Sequence, residues 1–231
     1  MDIADAIKQL EQFKGESLTR TINELARHLS NKSVSDVTRI NESFHIHSNL
    51  MTAALAVKQM SAQIDVLLHA SCISYVLPFI LDENEIIQSV SLGADNSESD
   101  FDLVTDRRIA EFKFILWKVK GNAVREKTLF GDFFKLARED THKRKCLYLL
   151  NKAIPERFLQ GKRDVLKTLD NNEKLRSAFT QKYNQTFTTV GQYYRAHKDS
   201  ILIVDLTAEI PAFSELVNQI TATINTVRVA G

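Results

Sequence analysis

The chain has 231 residues, 44% hydrophobic and 26% charged, with 30 Lys/Arg against 29 Asp/Glu and a formal net charge of +1. That balance belongs to an ordinary folded protein with a sizeable core, and it excludes a disordered or low-complexity chain. Cys72 and Cys146, both in apolar surroundings, read as reduced core residues, which excludes a disulfide framework, and no zinc-ligand spacing occurs.

The acidic start Met-Asp-Ile-Ala-Asp lacks the pattern of a signal peptide, and no uninterrupted apolar run reaches the roughly 18 residues of a membrane span. A cytoplasmic protein without membrane contact is therefore expected. Charge is unevenly spread. Residues 107–163 hold sixteen Lys/Arg against six Asp/Glu, a net +10, and this segment is the candidate for gripping a polyanion.

In chain order, Ile3, Ala6, Ile7, Leu10 and Phe13 recur at helical spacing, Gly15 interrupts, and Leu18, Ile22, Leu25, Ala26 and Leu29 resume the pattern. Two short amphipathic helices are expected. The polar stretch from Ser30 to Asp36 reads as a linker, while Val37 to His47 fits either a strand or an irregular approach to the next helix. From Ser48 to about Leu81, apolar positions follow a 3.6-residue period almost without a break, predicting one long helix that Pro78 bends or ends.

Ile86 to Leu92 reads as a strand and 93–100 as a turn-forming loop. Two apolar runs follow, Phe101 to Thr105 and Ile109 to Leu116, joined by a link short enough for an antiparallel hairpin. Asn122 is a candidate N-cap, and Val124 to Glu139, with Leu129, Phe130, Phe133, Phe134 and Leu136 on a wide apolar face, reads as a helix packed on a sheet. Lys145 to Leu150 is the next strand, and strand, helix, strand at this spacing suits a parallel crossover. A helical stretch over about Gly161 to Asn184, a strand over Ile201 to Leu206 and a last amphipathic helix through Leu216, Ile220, Ile224 and Val227 complete the chain.

The second run of the hairpin carries charge inside an apolar strand. Side chains alternate in a strand, so Ala110, Phe112, Phe114 and Leu116 share one face while Glu111, Lys113 and Ile115 share the other. In a plausible hairpin register Asp102 stands beside Glu111 and Lys113. Two carboxylates with a lysine suit a metal and a phosphate; the plainer reading of the same three residues is a structural ion pair on a solvent-facing sheet.

A helix, three strands carrying an Asp and, nine residues on, a Glu-X-Lys, then a helix and another strand, resembles the restriction-endonuclease-like superfamily, the PD-(D/E)XK nucleases. The matching core covers roughly Ala54 to Asn151. The resemblance implies an α/β fold with a mixed central sheet flanked by helices, with added N-terminal helices over 1–47 and a nuclease-like domain over 48–231 that carries C-terminal additions. Asp102, Glu111 and Lys113 take the catalytic positions. Asp102 and Glu111, with the carbonyl of Phe112, would hold Mg²⁺ or Mn²⁺, and Lys113 would contact the attacking water or the phosphate.

Many members add a helix glutamate or glutamine; Gln59, Gln63 and Asp65 are the candidates here, with His69 one turn on. Phe101 stands where proline often precedes the family's aspartate. Trp117, Lys118, Lys120, Arg125 and Lys127 are candidate nucleic-acid contacts, with Trp117 either stacking on a base or packing at the sheet end. The implied activity is metal-dependent hydrolysis of nucleic acid, DNA before RNA, in host defence, restriction or repair. The alternative is an inactive nuclease-like fold that binds nucleic acid or protein, and the terminal helices could form a homodimer or partner surface. His45 and His47 lack a third ligand nearby in sequence and read as structural.

Overall fold

The computed structural model describes residues 2–30, 32–93, 100–117, 121–184 and 186–229, without the side chains of 62 and 223–229. The chain divides into two compact units, Met1–Leu67 with Thr221–Gly231, and Leu68–Ile220. The division falls inside the long helix, not at residue 47 where the sequence suggests an N-terminal extension ends.

In the first unit, helices α1 (Ile3–Lys14), α2 (Leu18–Leu29) and α3 (Val34–Ser43) precede the start of α4 (Ser48–Ile80). Local chemistry sets their ends. Asp2 caps α1, Gly15 takes φ 56° after it, and Ser17 caps α2, as short polar side chains and glycine do at helix termini. The stretch open between strand and irregular chain is largely helical, because Ser33 and Asp36 form a reciprocal capping box that starts α3 within the expected linker. Only Ala6, Leu50 and Ala53 are buried among this unit's described residues.

Helix α4 has the extent its periodicity predicts, with Pro78 inside its last turn, so the proline does not end it. By length and composition α4 could cross a membrane, with a mean hydropathy of 1.4 over 18 residues. Counting uninterrupted apolar runs misses this because Lys58, Asp65 and His69 punctuate the helix. In the second unit its apolar residues have a local use: Cys72, Ile73 and Val76 are buried in the core beneath the sheet.

That sheet holds β1 (Ile87–Val90), β2 (Leu103–Thr105), β3 (Arg108–Lys113), β4 (Arg144–Leu149) and β5 (Leu202–Asp205) in spatial order β1-β2-β3-β4-β5. The first three pair antiparallel and the last three parallel. Helix α5 (Ala123–Arg138) makes the crossover between β3 and β4. This is the mixed α/β architecture the element order implies. β3 stops at Lys113, short of the strand expected to Leu116, because β4 leaves the ladder there: Leu150 N donates to the Lys113 carbonyl at 3.1 Å as the last bond.

Between β4 and β5 lie α6 (Ala153–Leu159), α7 (Val165–Thr168), α8 (Glu173–Tyr183) and α9 (Val190–His197). The expected helix over Gly161 to Asn184 is thus two, since Asp164 and Asn172 each cap a new start and Asp164 bridges to Thr189. Asn122 occupies the N-cap of α5, yet its side chain makes no capping bond. Helices α10 (Leu206–Glu209) and α11 (Pro211–Val229) follow β5.

Both faces of the sheet are covered at its central strands, β2, β3 and β4. One core joins Ile109, Leu147 and Leu149 to Leu129, Phe130, Phe133 and Phe134 of α5 and to Phe179 and Tyr193. The other joins Leu103, Ala110, Phe112, Cys146 and Tyr148 to α4, α10 and Phe213. Burial on both faces fits the continuous apolar run over 146–149 in β4. The two cysteines are free and buried.

Gly191 tests how tightly α9 is seated. A Cβ there would lie 2.6 Å from the carbonyl oxygens of Gln160 and Gly161, backbone atoms that cannot swing aside. Gly191→Ala is expected to cost about 3 kcal/mol by overpacking and to lower Tm by roughly 6–12 °C. A thermal melt within 2 °C of wild type, taken as roughly 1 kcal/mol or less, would show that the backbone yields.

Candidate active site

The β2 to β3 pairing sets the site. Leu103 pairs with Ala110 and Val104 with Ile109, which puts Asp102 across from Glu111. One Asp102 oxygen accepts the Phe112 amide at 2.8 Å, and the other lies 3.5 Å from His69 Nε2 on α4. Phe112 sends its ring to the opposite face, stacked 4.9 Å from Tyr148 and 5.7 Å from Phe114. Alternation along β3 therefore separates the charged face from the aromatic one.

The charged face is not open to solvent, as the plainer reading would require. Glu111 is 3% exposed, and helix α5 lays Asp132 and Lys135 over it. Lys113 Nζ sits 2.6 Å from Asp132 Oδ2, and Lys135 Nζ reaches Asp132 Oδ1 at 3.3 Å and also pairs with Glu111 Oε1. Lys135 further donates to the Asp100 carbonyl at 3.1 Å. Asp132 thus bridges two ammonium groups.

Burial pushes the Glu111 carboxyl up to about 9, and the charges of Asp132 and Asp102 add to it against the pull of Lys135 and Lys113. The Lys135 contact argues for an ionised Glu111 and the burial for a protonated one; burial beside two other carboxylates is the stronger influence, so the direction is upward. For Asp102, burial works upward too. Hydrogen bonds from His69 and the Phe112 amide, with Lys113 nearby, outweigh it and hold the group below its ordinary value. Burial would lower Lys113, but Asp132 and Glu111 hold its proton on and raise it. The same acids raise Lys135 against the effect of burial.

A pH signature follows. Between the ordinary glutamate value of 4.5 and about 9, the folded chain keeps a proton that the unfolded chain releases. Its contribution to stability is full below that window and fades as pH rises through it. Glu111→Gln removes the fade, so Tm of the variant is expected to gain on wild type from pH 5 to pH 9, roughly the same window. A difference that stays constant across that range would mean Glu111 is ionised throughout.

The remaining sequence candidates are placed differently. Gln63 and Asp65 are exposed and belong to the first unit, while His69, one turn on, reaches Asp102. Trp117 is partly buried, packs on the core beside α5 and has a buried indole nitrogen without a hydrogen-bond partner. Arg125 donates to the Leu116 carbonyl at 2.9 Å and Lys127 pairs with Asp170. Lys118 and Lys120 lie outside the described residues. Much of the basic segment is matched internally: besides the lysines of the site, Arg108 pairs with Glu85, Arg144 with Asp82 and Arg163 with Glu126.

Asp132 and Lys135 escaped sequence reading. Their signal was available: Asp132 interrupts Leu-Phe-Gly-Asp-Phe-Phe, and a charge amid buried aromatics carries the same message as a charge inside an apolar strand. Comparison of the chain with family models, curated proteins and solved structures returns no match.

Proposed function

We propose that the chain is a divalent-metal-dependent nuclease. The observation that carries this reading is the pairing of Asp102 opposite Glu111 with Lys113 on the same enclosed face, at the junction of antiparallel and parallel strands.

The donor set suits a hard cation in chemistry. No group of three or more His, Cys, Asp or Glu gathers around one point among the described residues, but Mg²⁺ takes one or two carboxylates and keeps several waters. Asp102 and Glu111, with the Phe112 carbonyl, would hold Mg²⁺ or Mn²⁺. A bound cation supplies Lewis acidity toward phosphate oxygens and makes a coordinated water easier to ionise.

The chain's own residues do the rest. The Phe112 amide and His69 fix the Asp102 carboxylate on both oxygens, so it is set in orientation before any ligand arrives. Lys113 keeps its proton beside Asp132 and Glu111, which fits it to neutralise and orient a phosphate or hold a water, and unfits it as a general base. Substrate is nucleic acid, with DNA favoured over RNA. Lys118, Lys120, Arg125, Lys127 and Trp117 remain the proposed contacts with it.

A second reading, an inactive nuclease-like fold serving as a nucleic-acid-binding or protein-interaction module, is favoured by the pairing of the site's acids with its own lysines. One assay separates the two. Purified protein is incubated with circular and linear DNA and with RNA, under Mg²⁺, Mn²⁺ or EDTA, alongside Asp102→Asn. Cleavage that needs metal and disappears in the variant supports the enzyme; binding with no cleavage under every condition supports the module.

A further inference from the structure

Lys135 sets a positive charge directly against the acids of the site. Its ammonium touches Glu111, lies 3.3 Å from Asp132 and is anchored by the Asp100 carbonyl at 3.1 Å. Asp102 and Asp132 act on Glu111, all three carboxylates act on the Lys113 ammonium, and Asp132 and Glu111 act on that of Lys135. With Glu111 ionised, as binding a cation there would require, that set carries one formal negative charge. Adding a divalent cation with both lysines in place would turn it into one positive charge in a poorly hydrated site, which is unfavourable.

One lysine must therefore move, and the geometry selects Lys135. Lys113 is fixed on a central strand with its side chain 17% exposed and its ammonium 2.6 Å from Asp132. Lys135 reaches in from α5, three residues beyond Asp132, with its side chain 24% exposed, so rotation of its flexible stem carries the charge outward without moving backbone.

We propose that Lys135 is an exchangeable plug: its ammonium holds the seat of the metal on Glu111 and is displaced outward when a divalent cation binds, where it becomes available to the anion that follows. This rests on the metal-dependent reading above. Binding at Glu111 is then a competition between a tethered monovalent cation and a free divalent one, and removing the tethered competitor tightens the free one.

The test is Mn²⁺ binding to the full chain without nucleic acid, by titration calorimetry at fixed pH and ionic strength, for wild type, Lys135→Met and Lys135→Arg. Lys135→Met is expected to bind Mn²⁺ about tenfold more tightly than wild type, the scale of a typical coupling between competing sites. Lys135→Arg, which keeps the charge, stays close to wild type. Lys135→Gln serves in place of Lys135→Met if the latter fails to fold by circular dichroism. Equal or weaker affinity in the neutral variants, including no measurable Mn²⁺ binding by any form, overturns the plug. Tighter Mn²⁺ binding by Lys135→Met with no cleavage of any nucleic acid leaves the plug standing and removes the nuclease reading. Metal-dependent cleavage with Mn²⁺ affinity indifferent to residue 135 does the reverse.

Discussion

If the chain is the proposed nuclease, Asp102→Asn is expected to lower metal-dependent cleavage by about 10²–10³-fold, the scale on which loss of one electrostatic element of a site is felt, while Tm changes by only a few degrees. The substitution is chosen for what it leaves intact. Asparagine has the volume of aspartate and keeps a carbonyl oxygen that can accept the Phe112 amide, now bonded at 2.8 Å. The turn into β2 therefore keeps its tether.

Charge is what the variant loses. A cation bound there would have Glu111 alone as its anionic donor, and Glu111, which Asp102 helps push upward, becomes easier to ionise. A compensating gain at Glu111 would appear as partial rescue at high metal concentration. Cleavage by the variant within tenfold of wild type, about 1.4 kcal/mol in the barrier, would remove Asp102 from the mechanism.

The largest effect on stability is expected at Arg108, which the sequence did not single out. It is 3% exposed and pairs with Glu85, whose side chain is 0% exposed. Arg108 Nε donates to Glu85 Oε1 at 2.6 Å and Nη1 to the Tyr148 hydroxyl at 2.8 Å. Thr105 adds a hydroxyl bond to the same Glu85 oxygen at 2.5 Å. This network ties the loop after α4 to the β2–β3 turn and to β4.

Arg108→Leu leaves the Glu85 carboxylate with only the Thr105 hydroxyl, the Asp82 amide and Arg144 at 3.7 Å, and breaking one side of a buried pair costs about 3–5 kcal/mol, a fall in Tm of roughly 6–20 °C. Replacing both partners, Arg108→Leu with Glu85→Leu, is expected to recover part of the loss because no orphaned charge remains. Additive losses in the double variant would contradict the pairing. Acid gives an independent readout. Burial acts upward on Glu85, but bonds from Arg108, Thr105 and the Asp82 amide prevail and bring it to about 2 from 4.5. Its contribution is present above 4.5, and is lost as pH falls toward 2; Arg108→Leu should blunt that acid-side decline.

Helix boundaries and strand positions were legible because they depend on neighbours in sequence. The α4 periodicity, the Gly15 break, the apolar face of α5 and the β-rich run of β5 each state their structure within a few residues. Failures occurred where two local signals competed. The stretch after Leu29 looked like a linker, yet Ser33 with Asp36 could start a helix; 161–184 looked like one helix, yet Asp164 and Asn172 each offered a new cap.

The site divides along the same line. Asp102, Glu111 and Lys113 sit on two strands joined by a tight turn, so alternation and hairpin register alone could bring them to one face. Whether that face meets water or a helix is not a property of the hairpin. The crossover through α5 decided it, by laying Asp132 on Lys113 across 19 residues of chain and Lys135 on Glu111 across 24, as did α4 by bringing His69 to Asp102. Sequence determined which side chains share a strand face, because that follows from the period of two; only tertiary structure determined their partners, burial and proton affinities, because those depend on which distant element covers the face.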